Sequence, residues 1–558
     1  MRASDPLARA DLTAPPGKIP PGLPGIWSTA LATAVVLALL LALLWIVTVN
    51  AVAWFWPAPV WRLTLVDGEV VVGQKVQREE APSLTLDEDA PPRYRVNLKV
   101  GNRELTGSDF RWIDESDIAS EATPPELVRI ERSEYGDAFG RVEGATGPDG
   151  RPLAITSPTA VDRLLESAAE WRDERERLLA AMERTREPLT QLEEELDLRE
   201  RSALAETESG QHSIAELTVR VDQLAEELGP RLAALEHDLV EVTRRLSASA
   251  LELYSGTDLV RVPLGQVVEV TWPNRMGFPT RLARAVRDAV LFLVTEPREA
   301  NTEGGIYPAL FGTVLLVLLM SVAVVPLGVI TAVYMTEYAR QGIPLRLANQ
   351  AVNNLAGVPS IVFGMFGLAF FVYGVGGTID RTFFAERLPT PTFGTGGVLW
   401  ASLTLALLTV PVVVIATREG LLAVPQSWRD GSLALGATKW QTLRRIILPA
   451  AMPGILTGLI LAVSRAAGEV APLMLTGAVK LAPSLPVDAQ PPFLHLQRKF
   501  MHLGFHIYDV SMQSPNVEAA KPMAFATTLV LLLLVLLMNL TAIIIRRRLR
   551  RAYTGGAV

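Results

Sequence analysis

The chain of 558 residues is 49% hydrophobic yet 20% charged, a mixture that suits a membrane protein with one large water-exposed part. Its net charge of −7 lacks the basic excess that nucleic-acid binders carry, so no nucleic-acid partner is expected. Cysteine is absent, which excludes a disulfide framework and any thiolate metal site.

Residues 1–26 read as a polar tail containing Arg2, Arg9 and Lys18. The first apolar segment, Trp27–Trp56, has an uncharged core far longer than a signal peptide needs, and it reads as an uncleaved anchor. A domain-sized insert follows at 57–302. Its opening text, "VWRLTLVDGEVVVGQKV", alternates apolar and polar residues around Asp67-Gly68, a hairpin signal, and "RYRVNLKVGNREL" repeats the theme. From about 158 to 249 the pattern changes to heptads: Val161, Leu164, Ala168 and Trp171 begin one run, while Leu217, Val221, Leu224 and Leu228 begin another. Gly210 separates the runs, and Gly229-Pro230 is expected to kink the second. The insert is therefore predicted to be β-rich and interrupted by an antiparallel coiled-coil hairpin. Two roles fit that arm equally: docking a partner, or acting as a charged spacer.

Five further segments reach the roughly twenty apolar residues that span a bilayer: Ile306–Met335, Ala348–Gly376, Gly396–Thr417, Ala450–Leu475 and Pro522–Ile545. Together they place a membrane core at 303–545, ahead of a basic tail at 546–558 that opens with "RRRLRR". Six spans put both termini on one side. Arg340, Arg346, Arg429, Lys439, Arg444 and Arg445 fall in loops on that same side, which the Lys/Arg bias assigns to the cytoplasm. The insert then lies outside. The tail serves as a topology anchor in reach of anionic membrane lipid.

Between the fourth and fifth spans, at about 418–449, runs "VPQSWRDGSLALGATKWQTLRRIILPAAMPGI". Ser427 is expected to open a short helix that ends near Gly436, and Thr438 with Gln441 fits a capping box for a second helix. Leu433, Leu435 and Trp440 would offer apolar surface on this helix–Gly–helix corner. The chain has no G-x-x-x-x-G-K-[ST] phosphate loop, so any ATP would be hydrolysed by a separate subunit and none bound here.

The fifth span, "GILTGLILAVSRAAGEVAPLMLTGA", contains Arg465 and Glu469 at helical i, i+4 spacing. Charges at membrane depth cost about 2.5–3.5 kcal/mol each and are functional by default. Arg465 offers a planar fork suited to phosphate oxygens. Glu469 would either accept a hydrogen bond from a protonated oxyanion or neutralise Arg465, and a purely structural lock between helices is the alternative. Gly468 between them would allow close helix approach. Pro359-Ser360 would break the third span and expose a hydroxyl toward a pathway. Asn349, Asn353 and Asn354 would sit at that span's cytoplasmic end. His495, His502 and His506 are expected on an irregular segment outside the bilayer, without metal-ligand spacing.

The loop resembles the EAA loop of ABC-transporter permeases, with Asp430, then Leu435, Gly436 and Ala437, then Ile446, Leu448 and Pro449 at the matching positions. Asp430-Gly431-Ser432 replaces the usual Glu-Ala-Ala, and Gly costs about 1 kcal/mol relative to Ala in a helix. Together with "GVPSIVFGMFG" and "SRAAGEVAPL", it makes Asn301–Arg551 similar to the PstA family of phosphate-importer permeases, in which Val470 stands where Thr is usual. The resemblance implies a mainly α, polytopic fold with six transmembrane helices, of the type I ABC-importer kind, beside the β-rich extracytoplasmic domain and its hairpin. It also implies a non-catalytic inner-membrane subunit that imports inorganic phosphate, with Arg465, Glu469 and Ser360 on the pathway. Its partners would be a PstC-like sister permease, an ATPase subunit dimer and an extracytoplasmic phosphate-binding protein. Another oxyanion, or a phosphate-signalling role with a regulator reached through the external arm, are the alternatives. The resemblance does not cover the insert.

Overall fold

The computed structural model describes residues 23–80, 93–154, 158–201, 207–298, 301–514 and 517–554. Most of the expected N-terminal tail, including Arg2, Arg9 and Lys18, lies outside them.

The insert contains two antiparallel sheets. The first orders β4 (Phe110–Asp114), β3 (Tyr94–Lys99), β2 (Val70–Glu80), β1 (Trp61–Leu65) and β5 (Ile118–Ala122) side by side. Strict alternation on β1 buries Leu63 and Leu65 against Val71, Leu98 and Ile113. Asp67-Gly68 makes the expected turn, with Gly68 at φ 88° and the Asp67 carboxylate accepting from the Glu69 N–H at 2.9 Å. The second sheet orders β10 (Asp258–Pro263), β9 (Ala250–Ser255), β7 (Ala138–Thr146), β6 (Leu127–Arg132) and β11 (Val267–Thr271), and β8 (Pro152–Ala154) pairs with β7.

Between β8 and β9 the chain leaves as two long helices, Pro158–Glu200 and Glu208–Ala248. They pair antiparallel: Val161 and Ala168 share a core with Val242 and Leu246 at the root, while Arg199 donates to Ser213 at 3.0 Å near the tip. Gly210 does not separate them. It lies in the first turn of the second helix and donates its N–H to the capping hydroxyl of Thr207 at 3.1 Å. The second helix also runs through Gly229-Pro230 without interruption.

Among the described residues, six helices are long and apolar enough to cross a membrane: Trp27–Phe55, Tyr307–Tyr338, Ser360–Phe383, Val398–Leu422, Lys439–Gly468 and Ala520–Arg548. The fourth is central, its buried residues packing against the second and fifth. Two spans differ from the sequence expectation. The segment read as Ala348–Gly376 is divided into an amphipathic helix, Ile343–Ala356, and a span that starts only at Ser360. Pro359 disfavours helical backbone at Val358, which forces the break. The segment read as Ala450–Leu475 stops at Gly468 and resumes as the short helix Ala471–Thr476.

Candidate functional site

The loop after the fourth span folds as a helix–Gly–helix corner. Its first helix, Gln426–Ala434, begins one residue before the expected Ser427, with Pro425 as the non-helical residue that precedes it. Gly431 does not interrupt it. The helix is closed by Gly436 at φ 85°, whose N–H reaches the Leu433 carbonyl at 3.0 Å while that of Ala437 reaches Ser432 at 3.2 Å. Thr438 and Gln441 then form the reciprocal capping box, at 3.2 and 2.9 Å. A buried Ser432–Thr442 hydroxyl contact of 2.8 Å staples the two helices together.

The outer face of this corner is apolar. Leu435 is 90% exposed and Trp440 58%, an arrangement suited to insertion in a partner's groove. Asp430 is exposed and accepts from Gln426 at 3.1 Å. Ile446, Leu448 and Pro449 are half-buried at the start of the fifth span. There the helix widens into a π-turn over Leu443–Ile447, ahead of the missing N–H of Pro449. Arg429 is the residue that sequence reading missed. Counted only as a topology charge, it anchors the corner to the second span through Glu337 at 3.0 Å and caps the Leu421 and Val424 carbonyls at 2.7 and 2.6 Å. A cavity of about 530 Å³ lies beside it, lined among others by Thr336, Glu337, Leu433 and Lys439.

The fifth span continues from Lys439 to Gly468 as one helix, about 45 Å at 1.5 Å per residue. Arg465 sits in its last turn. Glu469 is the first residue beyond it, with extended backbone at φ −80°, ψ 132°. The Arg465 Nε lies 3.4 Å from the Glu469 Oε1, with the side chains 34% and 19% exposed. The pair therefore forms at a break in the span, with one long contact rather than a bidentate fork. The two terminal nitrogens of Arg465 face no carboxylate among the described residues, so the fork remains available to an oxyanion.

Two interrupted helices meet at this break. A Cβ on Gly364 would come within 2.7 Å of the Pro472 Cα, and one on Gly367 within 3.0 Å of the Thr476 side chain. The span opened by Ser360 thus packs against the short helix that follows Glu469. Ser360 is half-buried at its first position, and no contact joins its hydroxyl to Arg465 or Glu469 among the described residues. Gly468, expected to permit close helix approach, meets nothing within 4 Å. Gly454 and Gly458, four residues apart on the same helix, make the close approach to the fourth span instead. Next to Arg465, Ser464 donates to Asn539 of the sixth span at 2.8 Å, a polar residue the sequence reading passed over.

His495 stands on irregular chain as expected, whereas His506 lies within a short helix. His502 caps the helix Leu503–Tyr508 and is fully buried, which pushes its pKa down to about 3; burial pushes His506 down to about 4. Asn349, Asn353 and Asn354 lie on the amphipathic helix before the third span, where Asn349 accepts from Arg418.

Residues 324–551 match the family described as binding-protein-dependent transport system inner membrane component. A phosphate transport system permease protein PstA of Yersinia pestis is 34% identical over 255 residues, covering 46% of this chain and 77% of that one. A probable ABC transporter permease protein, YqgI of Bacillus subtilis, is 33% identical over 260 residues, 45% of this chain and 81% of the other. PstA 1 of Mycobacterium tuberculosis is 40% identical over 171 residues, 31% of this chain; the match spans about half of that relative's length.

Proposed function

The chain belongs to the PstA family of ABC-transporter permeases, and we propose that it is the subunit of an ATP-driven importer that forms, with a sister permease, the pathway for inorganic phosphate. The observation that carries this reading is the placement of Arg465 and Glu469 at the far end of the helix that begins in the Thr438 capping box. A push on Gly436 would thereby be delivered, along one helix, to the Arg465–Glu469 pair where that span ends.

In this mechanism ATPase subunits grip the exposed Leu435 and Trp440 from the cytoplasm, and ATP is hydrolysed there. Arg465 receives phosphate from an extracytoplasmic binding protein through charge-assisted hydrogen bonds. Glu469 competes for the same guanidinium and lowers its hold on the anion when the pathway opens inward. The break at Glu469-Val470, followed by a short helix that packs on the span opened by Ser360, gives the site backbone suited to lining a pathway rather than lipid. Both termini then lie in the cytoplasm with the "RRRLRR" tail, and the insert lies outside.

Uptake of labelled phosphate by the purified complex, challenged with sulfate and molybdate, tests the substrate. Phosphate uptake resistant to both is expected; equal competition would assign another oxyanion.

A second reading is favoured by one observation. The helical hairpin touches two loops of the core, Glu194 facing Arg387 at 3.2 Å and Glu187 accepting from Gln490 at 3.1 Å. An arm so placed suits the reporting of pathway occupancy to a signalling partner. Deleting 161–246 while retaining uptake but losing phosphate-responsive regulation would support it.

A further inference from the structure

The last helix of the insert, Phe278–Val294, has an exposed apolar face. Phe278, Leu282, Val286, Val290 and Val294 recur every fourth residue, and each is exposed, from 48% at Leu282 to 69% at Phe278. The arginines of the same helix turn to the β-domain. Arg284 is held by Glu269 of β11 at 2.6 Å and by Asp288 at 2.9 Å, Arg287 reaches the same Glu269 at 2.9 Å, and Arg281 donates to the Pro273 carbonyl at 3.1 Å.

Its two ends fix its direction. Phe278 packs on Trp56 with ring centroids 5.7 Å apart, while Phe292 packs on Trp54 and Phe55 at 5.1 and 5.5 Å. Fourteen positions along a helix are about 21 Å, yet both ends meet the same three-residue stretch. The helix therefore lies across the end of the first span, not alongside it. Its C-terminus is joined to the start of the second span, where the Ile306 N–H reaches the Phe292 carbonyl at 2.8 Å and that of Tyr307 reaches Thr295 at 3.1 Å. The first span is itself exposed along nearly its whole apolar length, so the outward stripe of the crosswise helix is continuous with a lipid-facing surface.

We infer that Phe278–Val294 is an interfacial helix whose partner is the phospholipid bilayer, with its apolar stripe sunk among the acyl chains and its arginines seating the β-domain on top. Because Glu269 and Asp288 already pair Arg284 and Arg287, and Arg281 turns to the Pro273 carbonyl, the interaction is carried by the apolar stripe and needs no anionic headgroup. The helix acts as a floor that sets the insert's height and orientation over the membrane. This proposal rests on the spanning helices alone and is independent of the transported substrate.

The absence of cysteine makes the test direct. Val286→Cys, and separately Leu282→Cys, are spin-labelled in the full chain and reconstituted in nanodiscs of phosphatidylcholine only. The nitroxide should collide more with oxygen than with a water-soluble nickel chelate, whereas a label at Val240→Cys on the exposed hairpin helix should show the reverse. Nickel exceeding oxygen at both stripe positions would overturn the proposal in favour of a water-facing helix. Protection from both reagents would overturn it in favour of a protein partner. An oxygen preference that arises only after phosphatidylglycerol is added would overturn the hydrophobic account.

Discussion

Gly420 on the fourth span and Gly454 on the fifth approach so closely that a Cβ on Gly454 would sit 2.6 Å from the Cα of Gly420. These glycines flank the coupling corner on either side, a few residues from where each span meets it. Small residues are what allow backbones in a membrane to touch. The contact makes the two spans a single lever, so that displacement of the corner moves both.

Gly454→Val should therefore force the lever apart. The new side chain also meets the Ala416 carbonyl, 3.1 Å from its Cβ, and overpacking of this kind costs about 1–3 kcal/mol. The thermal midpoint of the detergent-solubilised protein should fall, while Gly468→Ala, which meets nothing within 4 Å, should leave it unchanged. Equal midpoints for Gly454→Val and the native chain would show that the spans are not pinned there.

Gly436 fails for a different reason. Its φ of 85° is left-handed and its surroundings are open, so a side chain there is opposed by backbone sterics alone, at about 1–2 kcal/mol. Gly436→Val should distort the corner and lower the phosphate imported per ATP hydrolysed, with Gly436→Asn closer to the native chain because Asn tolerates this conformation. A coupling ratio unaffected by Val would remove the corner from the mechanism.

How much of this was legible beforehand varies with the physics involved. Spans announced themselves by length and apolarity, and the corner by Gly436 and the Thr438–Gln441 box, because caps are local chemistry. The strands around Asp67-Gly68 followed from alternation for the same reason. The two breaks were half-legible: Pro359 marked one, and Pro472, which cannot donate to the Gly468 carbonyl, marked the other inside a run apolar enough to read as one span. What could not be read locally is that Pro472 then meets Gly364, a contact between residues 108 positions apart. Arg429 was invisible as an anchor because its partner Glu337 lies 92 positions away. Gly454 and Gly468 looked alike in sequence, and only the neighbouring helix distinguishes them.

At the break, Arg465→Ala should abolish phosphate uptake while the partner subunits still co-purify. Arg465→Lys keeps the charge but loses the planar fork, and should retain partial uptake with weaker substrate binding. Glu469→Gln leaves Arg465 without a competing carboxylate, so phosphate should be held more tightly and released more slowly in single-turnover transport. Loss of the assembled complex in Arg465→Ala would point to a structural lock between helices.

The contact of Glu194 with Arg387 joins exposed side chains, and such pairs contribute about 0–1 kcal/mol. Arg387→Ala should accordingly leave thermal stability almost unchanged. A Glu194→Cys/Arg387→Cys double variant should nonetheless be bridged within one chain by a short bis-maleimide, detected as a linked peptide by mass spectrometry. Failure to link would show that the hairpin does not rest on the core.

Where the insert meets the second span, Glu303 is buried close to Asp137, Lys99, Arg129 and Glu131. Burial, reinforced by the Asp137 charge, pushes its pKa up from the ordinary 4.5 to about 7. Asp137 goes the other way: although burial opposes ionisation, Arg129 and Lys99 hold its carboxyl well below the usual range. The folded protein therefore holds the Glu303 proton more tightly than the unfolded chain does between about 4.5 and about 7. Stability from this group is complete below that window and is lost as pH rises through it. The Asp137 contribution is present above its ordinary 3.8 and disappears only in stronger acid. Glu303→Gln removes the ionisable carboxyl but keeps its shape, so its thermal midpoint should exceed that of the native chain at pH 8 and converge with it near pH 5. A native chain whose midpoint rises steadily from pH 5 to pH 8, in parallel with Glu303→Gln, would show that Glu303 is ionised in the fold at neutral pH.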